Sequence, residues 1–210
     1  MESVGKTGDA TGNAGVPRKA GGGDGIRYAC AEVPSPVGPL GIAVTAVGLV
    51  ALSFGPAERA EQAVTRLPGL RPAGNSALDR RLREVRDQLD EYFDGGRDEF
   101  TIPLDWRLSS GFGEQVLREL LIAAPHGVVL SYGELAARMS PPDDRPSYEA
   151  ARAVGRALGA NPIAIVVPCH RVLASDGSLH GFGGGLETKR RLLALEGVLP
   201  LTLDDAMALS

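Results

Sequence analysis

The chain has 210 residues, 43% of them hydrophobic, enough to bury a substantial core in one or two domains. Its net charge of −4 excludes a protein that coats nucleic acid non-specifically, so any DNA contact must come from a local patch. The two cysteines, Cys30 and Cys169, lie far apart with no paired spacing, which argues against a disulfide framework or a metal site and for a reducing, cytoplasmic setting.

No run is apolar for long enough to predict a transmembrane helix, and the first residues lack the apolar core of a signal peptide, so no membrane partner is expected. Residues 1–25 are rich in Gly, Ala and Thr and read as a disordered tail. An α/β domain is expected over 26–105. Its strands are Tyr28–Val33, Leu40–Thr45 and Leu49–Phe54, the last two forming a hairpin around Ala46-Val47-Gly48. A helix over Ala57–Leu67 and a loop over Pro68–Asn75 follow. Leu78, Leu82, Val85, Leu89 and Tyr92/Phe93 then recur at helical spacing, closed by Gly95-Gly96. The arginines of this helix alternate with acids, which marks a solvated face. Phe100–Leu104 reads as a last strand, and no chemistry is visible in this half.

A second domain is expected over 106–199, followed by a tail over 200–210. Phe112, Val116, Leu120 and Leu121 mark a helix through Ala123. Ser131-Tyr132-Gly133-Glu134 carries the capping-box pattern and opens a short helix to Met139. After a proline-rich loop, Glu149–Leu158 forms another helix, and the pair suggests a helix-turn-helix. Arg152, Arg156 and Arg171 occur with no intervening acid, a local basic stripe in an acidic chain. Glu187–Glu196 is a final helix.

The stretch Asn161-Pro-Ile-Ala-Ile-Val-Val-Pro-Cys169-His170-Arg171-Val172 concentrates the reactive groups. Its apolar run over Ile163–Val167 reads as a short buried strand or strand-like segment, stopped by Pro168. A thiol follows at once, beside an imidazole and a guanidinium. Taken singly, Cys169 reads equally as an inert core residue. Neighbours on an extended chain face opposite ways, so cooperation with His170 requires a backbone bend or a bridging water.

Pro-Cys-His-Arg-Val, downstream of Asn161-Pro162, resembles the active-site signature of the O6-alkylguanine-DNA alkyltransferases, and the likeness runs from about Tyr28 to Gly197. The resemblance implies an α/β (α+β) fold. A small ribonuclease-H-like N-terminal domain precedes a winged-helix-like C-terminal domain holding the helix-turn-helix and the cysteine. It implies a cofactor-free monomer that binds double-stranded DNA in the minor groove and flips out O6-alkylguanine or O4-alkylthymine. The alkyl group then passes irreversibly to the protein's own cysteine.

On matching positions, the resemblance implies that Cys169 is the nucleophile, that His170 takes its proton through a water, that Glu196 orients His170 and that Asn161 ties the two strands of the site together. It further implies that Tyr132 helps rotate the nucleotide and that Arg152 fills the gap left in the duplex. Ala151, Ala153, Gly155, Arg156 and Arg171 are expected as further DNA contacts, with Phe182 in the pocket. Backbone groups of Cys169, Val172 and Gly183 are expected to read the guanine edge. Three positions depart from the family pattern: Ala164 replaces a proline, Phe182 a tyrosine, and the loop Met139–Tyr148 is long. Two other classes remain in view. A non-reactive lesion binder would lack Cys169, and a cysteine hydrolase would turn over a thiol-reactive ester repeatedly.

Overall fold

Strand β2 (Leu40–Thr45) is buried along its whole length, which requires cover on both faces of its sheet. The computed structural model describes residues 25–73, 76–139 and 148–202. The glycine-rich tail, nearly all of the long loop after Met139 and the end of the chain beyond Thr202 fall outside the described residues.

The sheet has the order β3-β2-β1-β4. Strands β1 (Ile26–Val33), β2 and β3 (Leu49–Phe54) are antiparallel neighbours, and β4 (Leu70–Pro72) runs parallel to β1. Period-two alternation divides the side chains, broken in β3 by a register shift opposite Ala43 and Val44 that leaves Val50 and Ala51 on one face. Tyr28, Ala43, Val50 and Ala51 meet Ala60 and Val64 of α1 (Ala57–Thr65) on one face. Val33, Leu40, Ile42, Val44, Leu49 and Leu52 meet Leu78, Val85, Leu89 and Tyr92 of α2 (Ser76–Phe93) on the other. The second of these clusters continues without a break into the C-terminal half.

That half holds α3 (Gly111–Ala123), α4 (Tyr132–Arg138), α5 (Tyr148–Gly159) and α6 (Leu186–Leu195). A small parallel pair joins β5 (Leu130–Ser131) to β6 (Val172–Leu173). The expected capping box is present: Glu134 N donates to Ser131 Oγ at 3.1 Å and Ser131 N to Glu134 Oε2 at 2.7 Å. Because Ser131 also pairs with Leu173, the start of α4 is held beside the cysteine turn.

Three local expectations change. The loop over Pro68–Asn75 contains β4, whose brief parallel pairing to β1 leaves no periodic signal in three residues. The strand over Phe100–Leu104 reduces to one bridge, Leu104 to Leu49, because Pro103 has no N–H to extend a ladder. The run Ile163–Val167 is not a strand either. It makes one bridge, Ile163 to Leu52, and then folds on itself. Val166 N donates to Ala164 O at 2.8 Å and Val167 N to Ile163 O at 2.9 Å. The first bond closes a γ-turn with Ile165 at its centre at φ 67°, the rare and strained hand for a β-branched residue.

The edge of β3 holds this turn in place. Leu52 N donates to Pro162 O at 2.8 Å and Ala164 N to Leu52 O at 3.0 Å, so the N-terminal sheet anchors the segment that leads to the cysteine. Ile165 is 1% exposed, and burial of its side chain sustains its strained backbone. Glycine at this position relieves about 1–2 kcal/mol of left-handed strain that alanine retains. Ile165→Gly is therefore expected to be no less stable than Ile165→Ala in urea unfolding, reversing the usual order of these residues.

Candidate active site

Asn161 fastens the turn at both ends. Its Oδ1 accepts from Ile163 N at 3.0 Å, and its Nδ2 donates to Val167 O at 2.8 Å and to Cys169 Sγ at 3.2 Å. Asn161 thus spans one turn rather than linking two strands. Pro168 then gives way to a 3-10 turn over Cys169–Arg171, the backbone bend that adjacency of thiol and imidazole requires. The bend leaves Cys169 half-buried on a cavity and turns His170 fully inward.

Behind the turn lies a buried carboxylate. Glu196 Oε1 meets His170 Nε2 at 2.8 Å, accepts from Arg171 Nη2 at 2.8 Å and accepts from the Tyr92 hydroxyl at 2.8 Å. Its Oε2 accepts from Arg171 Nε at 2.8 Å, and Arg171 Nη1 donates to Ala124 O at 2.7 Å. Burial alone raises a carboxyl, but the bonds from His170 and Arg171 and their charges overcome it and hold Glu196 far below its ordinary value. An ionised carboxylate only accepts, so His170 Nε2 carries the proton and the opposite Nδ1 is the lone-pair nitrogen. That Nδ1 is buried and has no hydrogen-bond partner in the protein.

Burial pushes the proton affinity of His170 down, with Glu196 opposing, so the imidazole is held neutral. Burial pushes the Cys169 thiol up, while the Asn161 bond and the charge of Lys189 oppose the rise. The thiol therefore keeps its proton in the free protein. Lys189, itself fully buried on α6, donates to Val172 O at 2.6 Å and His180 O at 3.0 Å, which ties the chain on either side of the Ser175–Ser178 turn.

A cavity of about 220 Å³ opens on Cys169. Asn161, Ala164, Phe182 and Gly183 form one wall, and Leu52, Phe54 and Arg59 of the N-terminal half form the other. Phe182 lies edge-on to Phe54 at 5.2 Å and to His170 at 6.4 Å between ring centres. Gly184 allows this approach, since a Cβ there would come 2.7 Å from the Phe54 ring. A second, open groove is lined by Tyr132, Tyr148, Ala151, Arg152, Gly155 and Arg156, with Ala174 and His180 across it. Arg152 is exposed, its guanidinium 5.8 Å from the centre of the Tyr148 ring. Burial raises the Tyr132 hydroxyl, and a thiolate at Cys169 would raise it further.

The structure thus brings Cys169, His170, Glu196 and Asn161 together, and gathers Tyr132, Ala151, Arg152, Gly155 and Arg156 on one face, with Ala153 half-buried on the same helix. Arg171 is a correction. It is 6% exposed and its guanidinium is committed to Glu196 and Ala124, so it cannot form a surface stripe with Arg152 and Arg156. The backbone of the turn is also largely committed. Cys169 N donates to Val167 O at 2.8 Å, Val172 N to Cys169 O, and Val172 O receives Lys189. Gly183 alone of the three expected edge readers is exposed on the cavity.

The N-terminal half, expected to carry no chemistry, contributes Tyr92 to the carboxylate and Phe54 and Arg59 to the cavity. Lys189 was also not anticipated, although its signal is present: a lysine on the apolar stripe of Leu186, Leu192 and Leu193. Among the described residues no cluster of three or more His, Cys, Asp or Glu is arranged to hold a metal, and no helix is long and apolar enough to cross a membrane.

Fold and site together define a cysteine-centred protein built from an α/β sheet half and a helical half. Comparison with known proteins agrees. Residues 26–106 match the family model of the 6-O-methylguanine DNA methyltransferase ribonuclease-like domain, and residues 111–198 that of the DNA binding domain of the same proteins. A methylated-DNA–protein-cysteine methyltransferase of Mycobacterium leprae is 39% identical over 172 residues, covering 80% of this chain and 91% of that protein. The protein of the same name from Mycobacterium bovis is 49% identical over 110 residues, a match spanning 52% of this chain and 62% of that protein's length. The crystal structure of Mycobacterium tuberculosis OGT in complex with DNA superposes with a TM-score of 0.64 at 36% identity, covering 88% of this chain and 99% of that one. The chain belongs to the 6-O-methylguanine DNA methyltransferase family.

The buried network predicts an acid-sensitive fold. His170 binds a proton less readily folded than unfolded, so stability is full above its ordinary 6.5 and falls as the pH drops below it. Glu196 is depressed from its ordinary 4.5, so its contribution is complete above that value and is lost in stronger acid. Stability measured by denaturant unfolding is expected to decline below pH 6.5 and more steeply below 4.5. Glu196→Gln removes the second phase and costs about 3–5 kcal/mol at neutral pH, because Arg171 is left buried without its partner.

Proposed function

We propose that this protein repairs alkylated DNA by transferring the alkyl group of O6-alkylguanine, or of O4-alkylthymine, to Cys169 in a single turnover. The observation that carries this reading is the free Nδ1 of buried His170. Its Nε2–H is locked on Glu196, and the neighbouring residue is a protonated thiol on a cavity. That is the arrangement of a general base waiting for a nucleophile's proton.

The thiol proton passes to Nδ1, one water bridging Sγ and nitrogen. The thiolate attacks the alkyl carbon, the S–C bond forms and the C–O6 bond breaks. Guanine leaves with the electron pair and takes the Tyr132 hydroxyl proton at its ring, and the proton held at His170 Nδ1 returns through water to restore the Tyr132 hydroxyl. Overall, the thiol proton ends on guanine and the alkyl carbon on sulfur, so no oxidant or cofactor enters the balance. The thioether has no leaving group to regenerate the thiol, which limits each molecule to one event.

In-line attack on an O6 substituent is impossible inside the base stack, so the nucleotide must be extruded. The groove beside α5 is suited to this step. Small residues Ala151 and Gly155 let the helix approach a minor groove, and Arg152 fills the space the base vacates. Tyr132, at the junction of groove and thiol, guides the rotated nucleotide inward. Ala164 in place of proline and Phe182 in place of tyrosine shape the wall that meets the alkyl group.

Incubation with duplex DNA holding one O6-methylguanine is expected to add one methylene mass per molecule and then stop, as read by intact mass. Cys169→Ser adds none. Lesion binding by the wild type without mass gain would reject transfer in favour of a non-reactive sensor. Arg152→Ala is expected to slow transfer from duplex roughly 10–100-fold, a few kcal/mol of lost support for unstacking, while leaving reaction with free O6-alkylguanine base unchanged. Single-turnover rates on the two substrates provide the check.

A further inference from the structure

Glu196 Oε1 receives three donors, and one of them comes from the other half of the protein. Tyr92 lies near the end of α2, and its hydroxyl donates to that oxygen at 2.8 Å across a separation of 104 residues. His170 Nε2 and Arg171 Nη2 share the same atom. The Tyr92 ring is fixed on three sides, by Phe93 at 5.2 Å, Phe100 at 5.3 Å and His126 at 6.5 Å between ring centres. At 1% exposure, its hydroxyl has no route to solvent as an alternative partner. A residue needed only to fill this space would serve equally as phenylalanine. The hydroxyl is oriented at a charge instead.

We propose that Tyr92 is a positioning residue of the active site: its hydroxyl fixes Glu196 and draws charge from Oε1, so that His170 stays neutral and able to accept the thiol proton. The inference deepens the alkyl-transfer reading and rests on it for its kinetic consequence. Its direct observable, the titration of His170, does not depend on that reading. A hydrogen bond to a carboxylate oxygen withdraws electron density from the neighbouring bond to imidazole. Without the hydroxyl, Oε1 holds the Nε2 proton more strongly and favours the imidazolium. The other charged groups facing His170 are Arg171 in the same turn and Lys189 on α6, both of which oppose its protonation. Facing Tyr92 are Glu196, Arg171 and the His126 ring, whose Nδ1 lies 3.7 Å from Asp98. Each of these charged neighbours remains in Tyr92→Phe, so the change isolates one hydroxyl.

The test is a ring-nitrogen NMR titration of the full chain, whose three histidines permit assignment of His126 and His180 by substitution. In Tyr92→Phe the His170 midpoint is expected to rise by about half a unit or more, a roughly threefold gain in proton affinity. The acid limb of single-turnover transfer should move the same way. Leu89→Ala, a core change on the same helix without contact to Glu196, should lower the melting temperature and leave the midpoint alone. The proposal is overturned by an unchanged midpoint in Tyr92→Phe, by an imidazole that stays neutral throughout the folded range in both proteins, or by an equal shift in Leu89→Ala. A wild type that transfers no alkyl group would reject the proposed reaction, while the titration still decides the role of Tyr92.

Discussion

Burying a carboxylate costs several kcal/mol unless its lone pairs are met, and Glu196 is buried at the meeting point of both halves of the molecule. The solution is local and complete: two bonds from Arg171, one from Tyr92 and one shared with His170. Each donor is itself pinned. Arg171 is tied to Ala124 at the end of α3, Tyr92 of α2 is clamped among aromatic rings, and the His170 side chain itself has no exposed surface. Satisfying one charge therefore fixes the relative position of α2, α3, α6 and the cysteine turn. Reactivity and architecture depend on the same ion pair.

The second constraint is backbone. A cysteine following an extended strand would point away from the next side chain, and the imidazole would lie on the opposite face. The γ-turn at Ile165 and the 3-10 turn at Cys169 change that geometry, and neither is self-sustaining. The edge of β3 supplies two hydrogen bonds through Leu52, Asn161 bridges the base of the turn, and burial of Ile163, Ile165 and Val167 supplies the driving force. An apparently inert sheet edge thus becomes part of the candidate site, because its unpaired groups are what the strained segment pairs with.

Much of this was legible in the sequence where the signal is periodic or chemical. The α2 stripe, the hairpin of β2 and β3 and the capping box at Ser131 follow from local rules, and the dense run from Asn161 to Val172 pointed to the turn where thiol, imidazole and amide meet. What local rules miss is pairing at a distance. The apolar run Ile163–Val167 has strand composition, but flanking Pro162 and Pro168 and one edge partner leave room for a single bridge, so tertiary demands set its shape. Arg171 looked like a surface cation because its carboxylate stands 25 residues away. Tyr92 looked like a packing residue for the same reason. Composition reports that a polar tip exists, but its partner appears only when the chain closes.

Lys189 shows how the remaining charge is used. Arg171 shares a carboxylate, so its positive charge is largely balanced inside the core. The bonds from Lys189 run to the carbonyls of Val172 and His180, which take two of its three protons without cancelling its charge. That uncompensated field reaches Cys169, where it opposes the rise that burial imposes on the thiol. A thiol left alone in this setting would be inert, and one beside a fully charged imidazole would be oxidised or modified by any electrophile that reached it. With a neutral imidazole in the next residue and a backbone-held cation nearby, the sulfur keeps its proton at rest. The resting state of the thiol is thus set by the balance of buried charges around it.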